Sequence, residues 1–115
     1  MSGRDILFLL APGFTDNNRR EYCPECAEIW GVLHYFPAIR EALDIRTETL
    51  AHPRAGIVAL LGDGRWNCPT LVFDSDAPDP GGVASASNGA RYFGSARLIG
   101  RYFAARYGTP VPRGS

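Results

Sequence analysis

Ile6 to Leu10 form an unbroken apolar run that stops at Ala11-Pro12-Gly13, and this feature restricts the architecture more than any other. A strand that is apolar at every position must be covered on both faces, which is the condition of a central strand in an α/β sheet. Helical cover follows in the sequence. From Pro24 the apolar residues Ile29, Val32, Leu33, Phe36, Ile39 and Leu43 recur at mostly three- and four-residue spacing, which predicts an amphipathic helix over 24–43. Pro24 suits a first turn, where its missing N–H costs nothing, and Pro37 is expected to kink or split the helix near Phe36. The segment between, Gly13 to Tyr22, is polar and reads as a loop that delivers Cys23-Pro24-Glu25-Cys26 to the helix start.

Further along, Ile45 to Leu50 reads as a short strand, Pro53 to Leu61 as a short helix stopped by Gly62-Asp63-Gly64, and Thr70 to Phe73 as a buried strand. Residues 75–89 are rich in Pro, Gly and Ser with a single Val, a composition that predicts a long surface loop. Arg91 to Phe93 reads as a last strand. Ser95 then caps a helix whose inner stripe is Leu98, Ile99, Tyr102 and Phe103, ended by Gly108 and Pro110. The expected order is β-α-β-α-β-β-α in one domain over 1–115, with 109–115 as a flexible tail.

The chain has 115 residues, 45% of them apolar, enough for one core without disulfide staples. Twelve basic residues balance twelve acidic ones, so no net field draws the protein to nucleic acid or to an anionic membrane. The run at Ile6 to Leu10 is too short to span a bilayer or to serve as a signal peptide, which makes a soluble cytoplasmic protein the expectation. Three cysteines cannot all pair within one chain, and a reducing compartment would hold most of them as thiols.

A CxxC motif at a helix start is suited to thiol–disulfide exchange, because the attacking species is a thiolate. Unsatisfied N–H groups at the N-terminus of the helix favour that thiolate at Cys23, and the carboxylate of Glu25 in the same turn opposes it. Cys26 lies three residues before Ile29, joins the buried stripe, and would act as the resolving thiol. Two other readings stand beside this one. Thiolates could ligate a metal or an iron–sulfur cluster, with an external fourth ligand, because His34 lies about 12 Å beyond Cys26 along the helix at ~1.5 Å per residue and His52 has no matching spacing. The cysteines could also be small buried residues of a catalytically silent binding module.

With its CxxC between a strand and a helix, Cys68-Pro69 before a hydrophobic strand, and a closing helix over Gly94 to Gly108, the chain resembles the thioredoxin-like superfamily. The closest likeness is to glutaredoxins and the N-terminal domains of glutathione transferases. As a whole it is also similar to a family of small proteobacterial proteins of that class with no established activity. The resemblance implies a four-stranded mixed sheet, a cis Pro69, and Cys68 facing the CxxC. It implies a substrate site shaped by Cys68, Pro69 and Ser95, and a small thiol or protein disulfide as partner; Trp66, two residues before Cys68, is placed either to wall that site or to pack in the core. Glutathione is a possible cosubstrate by the same likeness, and no resident cofactor or metal is implied. The chain departs from glutaredoxins in its 75–89 loop, in Gly94 before Ser95, and in the cysteine before the proline. Ser95 has a capping role in any case, and Arg91, Arg97, Arg101 and Arg106 read mainly as a solvated face.

Overall fold

In this computed structural model the described residues are 4–50, 54–62, 67–73, 84–85 and 90–114. The first strand, β1 (Ile6–Leu10), is buried from Leu7 to Leu10, as its uniform apolar sequence requires. It runs parallel to β4 (Asp44–Glu48) on one side and antiparallel to β5 (Thr70–Val72) on the other. Beyond β5 lie β7 (Arg91–Phe93) and then β6 (Ala84–Ser85), both antiparallel to their neighbours, so the sheet order is β4-β1-β5-β7-β6. The sheet is mixed, as expected, and has five strands where four were expected. The fifth is the short β6, which falls inside the segment read from sequence as loop; residues 75–83 and 86–89 lie outside the described residues.

A second departure concerns Gly13 to Tyr22. This stretch contains a two-stranded hairpin, β2 (Phe14–Asp16) with β3 (Arg19–Glu21). Asn17 and Asn18 both take positive φ, at 54° and 60°, which is the geometry of the two-residue turn that matches strand twist. Asn reaches the left-handed region more easily than most residues, so an Asn-Asn pair supplies the turn without glycine.

The long helix divides as Pro37 predicts, into α1 (Pro24–Tyr35) and α2 (Pro37–Ala42), with Phe36 between them at φ −128° and ψ 73°. Cys26, Ile29 and Leu33 of α1 and Ile39 of α2 are buried. The third helix, α3 (Ala55–Leu61), buries Ile57 and Leu61. A Cβ on Gly56 would collide with the Glu48 carboxylate and come within 3.1 Å of the Phe8 ring, so this glycine lets α3 lie close over β1. Phe8 therefore faces α3, and by two-residue alternation Leu7 and Leu9 line the other face.

The last helix, α4 (Ala96–Tyr107), starts at Ser95, whose Oγ accepts from the Leu98 amide at 3.3 Å, and ends at Gly108 in the left-handed conformation. Its Ile99, Tyr102 and Phe103 are buried, while Leu98 is 36% exposed and lies off the inner stripe. Phe73, Phe93 and Tyr102 pack with ring centroids 5.1–5.8 Å apart. Pro112 occupies the place where a Cβ on Gly100 would stand, and Arg97 donates to the Arg113 carbonyl at 3.0 Å. No helix among the described residues is long and apolar enough to cross a membrane.

Candidate functional site: three cysteines around the start of α1

The chain reverses between β1 and α1 through the hairpin, so that Cys23 arrives at the N-cap of α1 with extended backbone, φ −80° and ψ 114°. There its Sγ accepts the Cys26 amide at 3.1 Å, the role an N-cap side chain plays for an orphan amide of the first turn. Pro24 occupies the first helical position. Cys23 is partly exposed and Cys26 is buried, the division expected from the stripe.

Cys26 Sγ accepts the Leu10 amide at 3.5 Å, which ties the motif to the end of β1. Burial, and then the hydrogen bond of the Cys26 thiol to Cys23, push this thiol up to about 12. At neutral pH it keeps its proton.

Cys68 stands across from Cys23. The Cys68–Pro69 peptide bond is cis, and the Cys23 thiol donates to the Cys68 carbonyl at 3.8 Å. The loop holding it is anchored at both sides: Asn67 Nδ2 donates to the Gly94 carbonyl at 2.6 Å, and Thr70 Oγ1 donates to the Asn67 carbonyl at 2.5 Å. Burial pushes the Cys68 thiol up to about 11, against the pull of the Arg54 guanidinium beside it. Arg54 is itself buried and donates to the carbonyls of Thr49 and Leu50 at 2.9 and 3.1 Å. All three cysteines are free thiols.

The first turn of α4 meets the first turn of α1. The Ala96 amide donates to Glu25 Oε1 at 2.9 Å, and Arg97 pairs with Glu28 at 3.0 Å. Ser95 thus sits one residue from a contact with the CxxC turn. Of the residues singled out from sequence, Cys23, Cys26, Cys68, Pro69 and Ser95 therefore fall in one region; Trp66 and His52 lie outside the described residues. Among the described residues no group of three or more His, Cys, Asp or Glu side chains is arranged to hold a metal ion.

Sequence reasoning missed Glu25, Arg54 and the pair Tyr22 and Trp30. Glu25 was visible only as a charge near Cys23, because its partner lies 71 residues away. Arg54 carried no signal at all, being an ordinary arginine ahead of a short helix. Tyr22 and Trp30, with Leu10 and Pro12, line an apolar pocket of about 490 Å³ that opens beside Cys23 and Cys26. The position of Trp30 off the main stripe of α1 was the available clue to it.

A mixed α/β domain with a CxxC at the start of its first helix is the class that the fold and these residues define. The chain belongs to the DUF3088 family, proteins of unknown function, whose family model matches residues 4–111. Comparison with the curated proteins and with the solved structures gives no match in either set.

Proposed function

We propose that this chain is a thioredoxin-like thiol–disulfide oxidoreductase in which Cys23 attacks and Cys26 resolves. The observation that carries the reading is the division of labour within one turn. Cys23 is partly exposed with its sulfur on the Cys26 amide at 3.1 Å, and the Cys26 thiol is buried and protonated behind it. The thioredoxin-like part of the reading draws support from the parallel β1–β4 pair, the antiparallel β5 and β7, and the cis Pro69 next to the CxxC.

In the first step the Cys23 thiolate attacks one sulfur of a substrate disulfide. A Cys23 Sγ–S bond forms, the substrate S–S bond breaks, and the leaving thiolate takes the electron pair and a proton from solvent. Cys26 then loses its proton and attacks Cys23 Sγ, which releases the second substrate thiol and leaves a Cys23–Cys26 disulfide. The two protein thiols are oxidised and the substrate disulfide is reduced. A small-molecule or protein thiol reductant returns the protein to its dithiol state.

Mild oxidation followed by peptide mapping tests this. A Cys23–Cys26 bridge, with a loss of about 2 Da in the intact mass, is the expected result. A Cys23 bridged to neither Cys26 nor Cys68 refutes the reading.

A further inference from the structure

We infer that the sulfur site takes a neutral, apolar thiol or disulfide partner, seated in the Tyr22–Trp30 pocket, in preference to an anionic thiol such as glutathione. This rests on Cys23 being the attacking thiol, and deepens that reading by naming the substrate class.

The pocket of about 490 Å³ runs from the end of β1 to the first turns of α1, and none of the residues lining it carries a charge. Leu10, Pro12, Tyr22 and Trp30 supply its apolar walls, with Cys23 and Cys26 at one side. A volume of this kind suits a small aromatic or branched aliphatic group, whose apolar surface is stabilised by removal from water. Because Cys23 lines the same pocket, a group held there belongs to the molecule whose sulfur Cys23 meets. Tyr22 is 62% exposed, a large ring kept at the surface with one side on this pocket.

The second observation concerns anions. The helix N-terminus adjoining the CxxC turn is that of α4, and such an end attracts carboxylates through its free amides. Here the chain's own groups already take two of them. The Ala96 amide holds Glu25 Oε1 at 2.9 Å and the Leu98 amide holds Ser95 Oγ at 3.3 Å. Arg97, the cation in that turn, is paired with Glu28 at 3.0 Å. An incoming carboxylate would meet the Glu25 charge at the first amide of α4. Arg54, the buried cation beside Cys68, is engaged by the carbonyls of Thr49 and Leu50.

The test uses the full chain carrying Cys26→Ser and Cys68→Ser, which traps the first mixed disulfide on Cys23. It is treated separately with glutathione disulfide and with the symmetrical disulfide of N-acetylcysteine benzylamide, a neutral aromatic alkyl disulfide. Rates are read by intact mass and divided by those of a free small thiol with the same two reagents. The normalised aromatic rate is expected to exceed the glutathione rate by tenfold or more. Adding Tyr22→Ser should cut the aromatic rate at least threefold, and adding Glu25→Ala should raise the glutathione rate at least threefold. Equal normalised rates, untouched by either substitution, overturn this inference while the redox reading stands on its own Cys23–Cys26 bridge. No adduct on Cys23 with either reagent, together with no such bridge in the unsubstituted protein, overturns both.

Discussion

At the N-terminal end of β1 the buried Asp5 carboxylate accepts from Tyr102 at 2.6 Å, Tyr107 at 3.1 Å and Arg106 at 3.2 Å, and the Arg106 guanidinium donates again to the Tyr102 oxygen at 2.8 Å. At the other end of the same strand the Leu10 amide donates to the Cys26 sulfur at 3.5 Å, and the neighbouring Cys23–Cys68 contact is 3.8 Å. Short charge-assisted bonds to a carboxylate hold their geometry; long bonds to sulfur are weak and leave the sulfurs able to exchange partners. One end of β1 locks α4 to the sheet, and the other carries free thiols on an anchored but lightly bonded frame. Arg106, which the sequence grouped with solvated arginines, belongs to the locked end.

The largest effect that tests this contrast is expected at Asp5. Asp5→Ala strands the buried Tyr102 hydroxyl, the half-buried Tyr107 hydroxyl and an arginine, and should cost ~3–5 kcal/mol in urea unfolding, as loss of one partner from a buried charged network does. A loss below ~1 kcal/mol would remove the distinction between the two ends. The Cys23 alkylation rate of the folded variant should stay within about twofold, since β1 separates the sites by roughly 16 Å at ~3.3 Å per residue.

Thiol labelling sharpens the other end. With iodoacetamide near pH 7, Cys23 should react at least ~100-fold faster than Cys26, because the thiolate is the nucleophile and Cys26 is 2% exposed and held protonated. Cys26 labelling first would place the helix start elsewhere and reverse the assigned roles.

The smallest expected effect is on stability just above pH 9. Cys26 rises from an ordinary 9.0 to about 12 in the folded protein, and Cys68 from 9.0 to about 11. Below 9 both states hold these protons and stability is unaffected. Above it the unfolded chain ionises first, so stability falls as pH climbs toward those folded values, by at most ~1.4 kcal/mol per unit for each thiol. Tyr102 and Tyr107 are also raised, from 10.0, by burial and by the Asp5 charge, so the locked end adds its own loss from about 10 upward. Between pH 9 and 10 the decline belongs mainly to the sulfur end, whose unfolded thiols ionise a unit earlier than the tyrosines. A Cys26→Ser, Cys68→Ser variant should flatten that interval in urea melts taken at each pH, and an unchanged slope would break the assignment.

The elements were legible wherever local chemistry sufficed. The apolar run of β1, the stripe of α1, the break at Pro37, and the Ser95 and Gly108 caps each reflect forces acting within a few residues. The hairpin at Asn17-Asn18 was written just as locally, yet its strands are polar, and a reading tuned to apolar runs passes over them. β6 and the outward turn of Leu98 depend on neighbours far along the chain.

By itself the sequence determined a buried strand, a helix opening on Cys23, and a hydrophobic pattern that puts Cys26 inside, because hydrophobicity and backbone restriction are properties of short segments. Only the tertiary structure decided the rest. It brought Cys68 to Cys23, set Arg54 beside Cys68, closed Asp5 with residues about a hundred positions away, and turned Glu25 onto the first amide of α4. Those pairings are chosen by the sum of packing across the sheet, so no window of the chain contains both partners, and the site they build exists only when they meet.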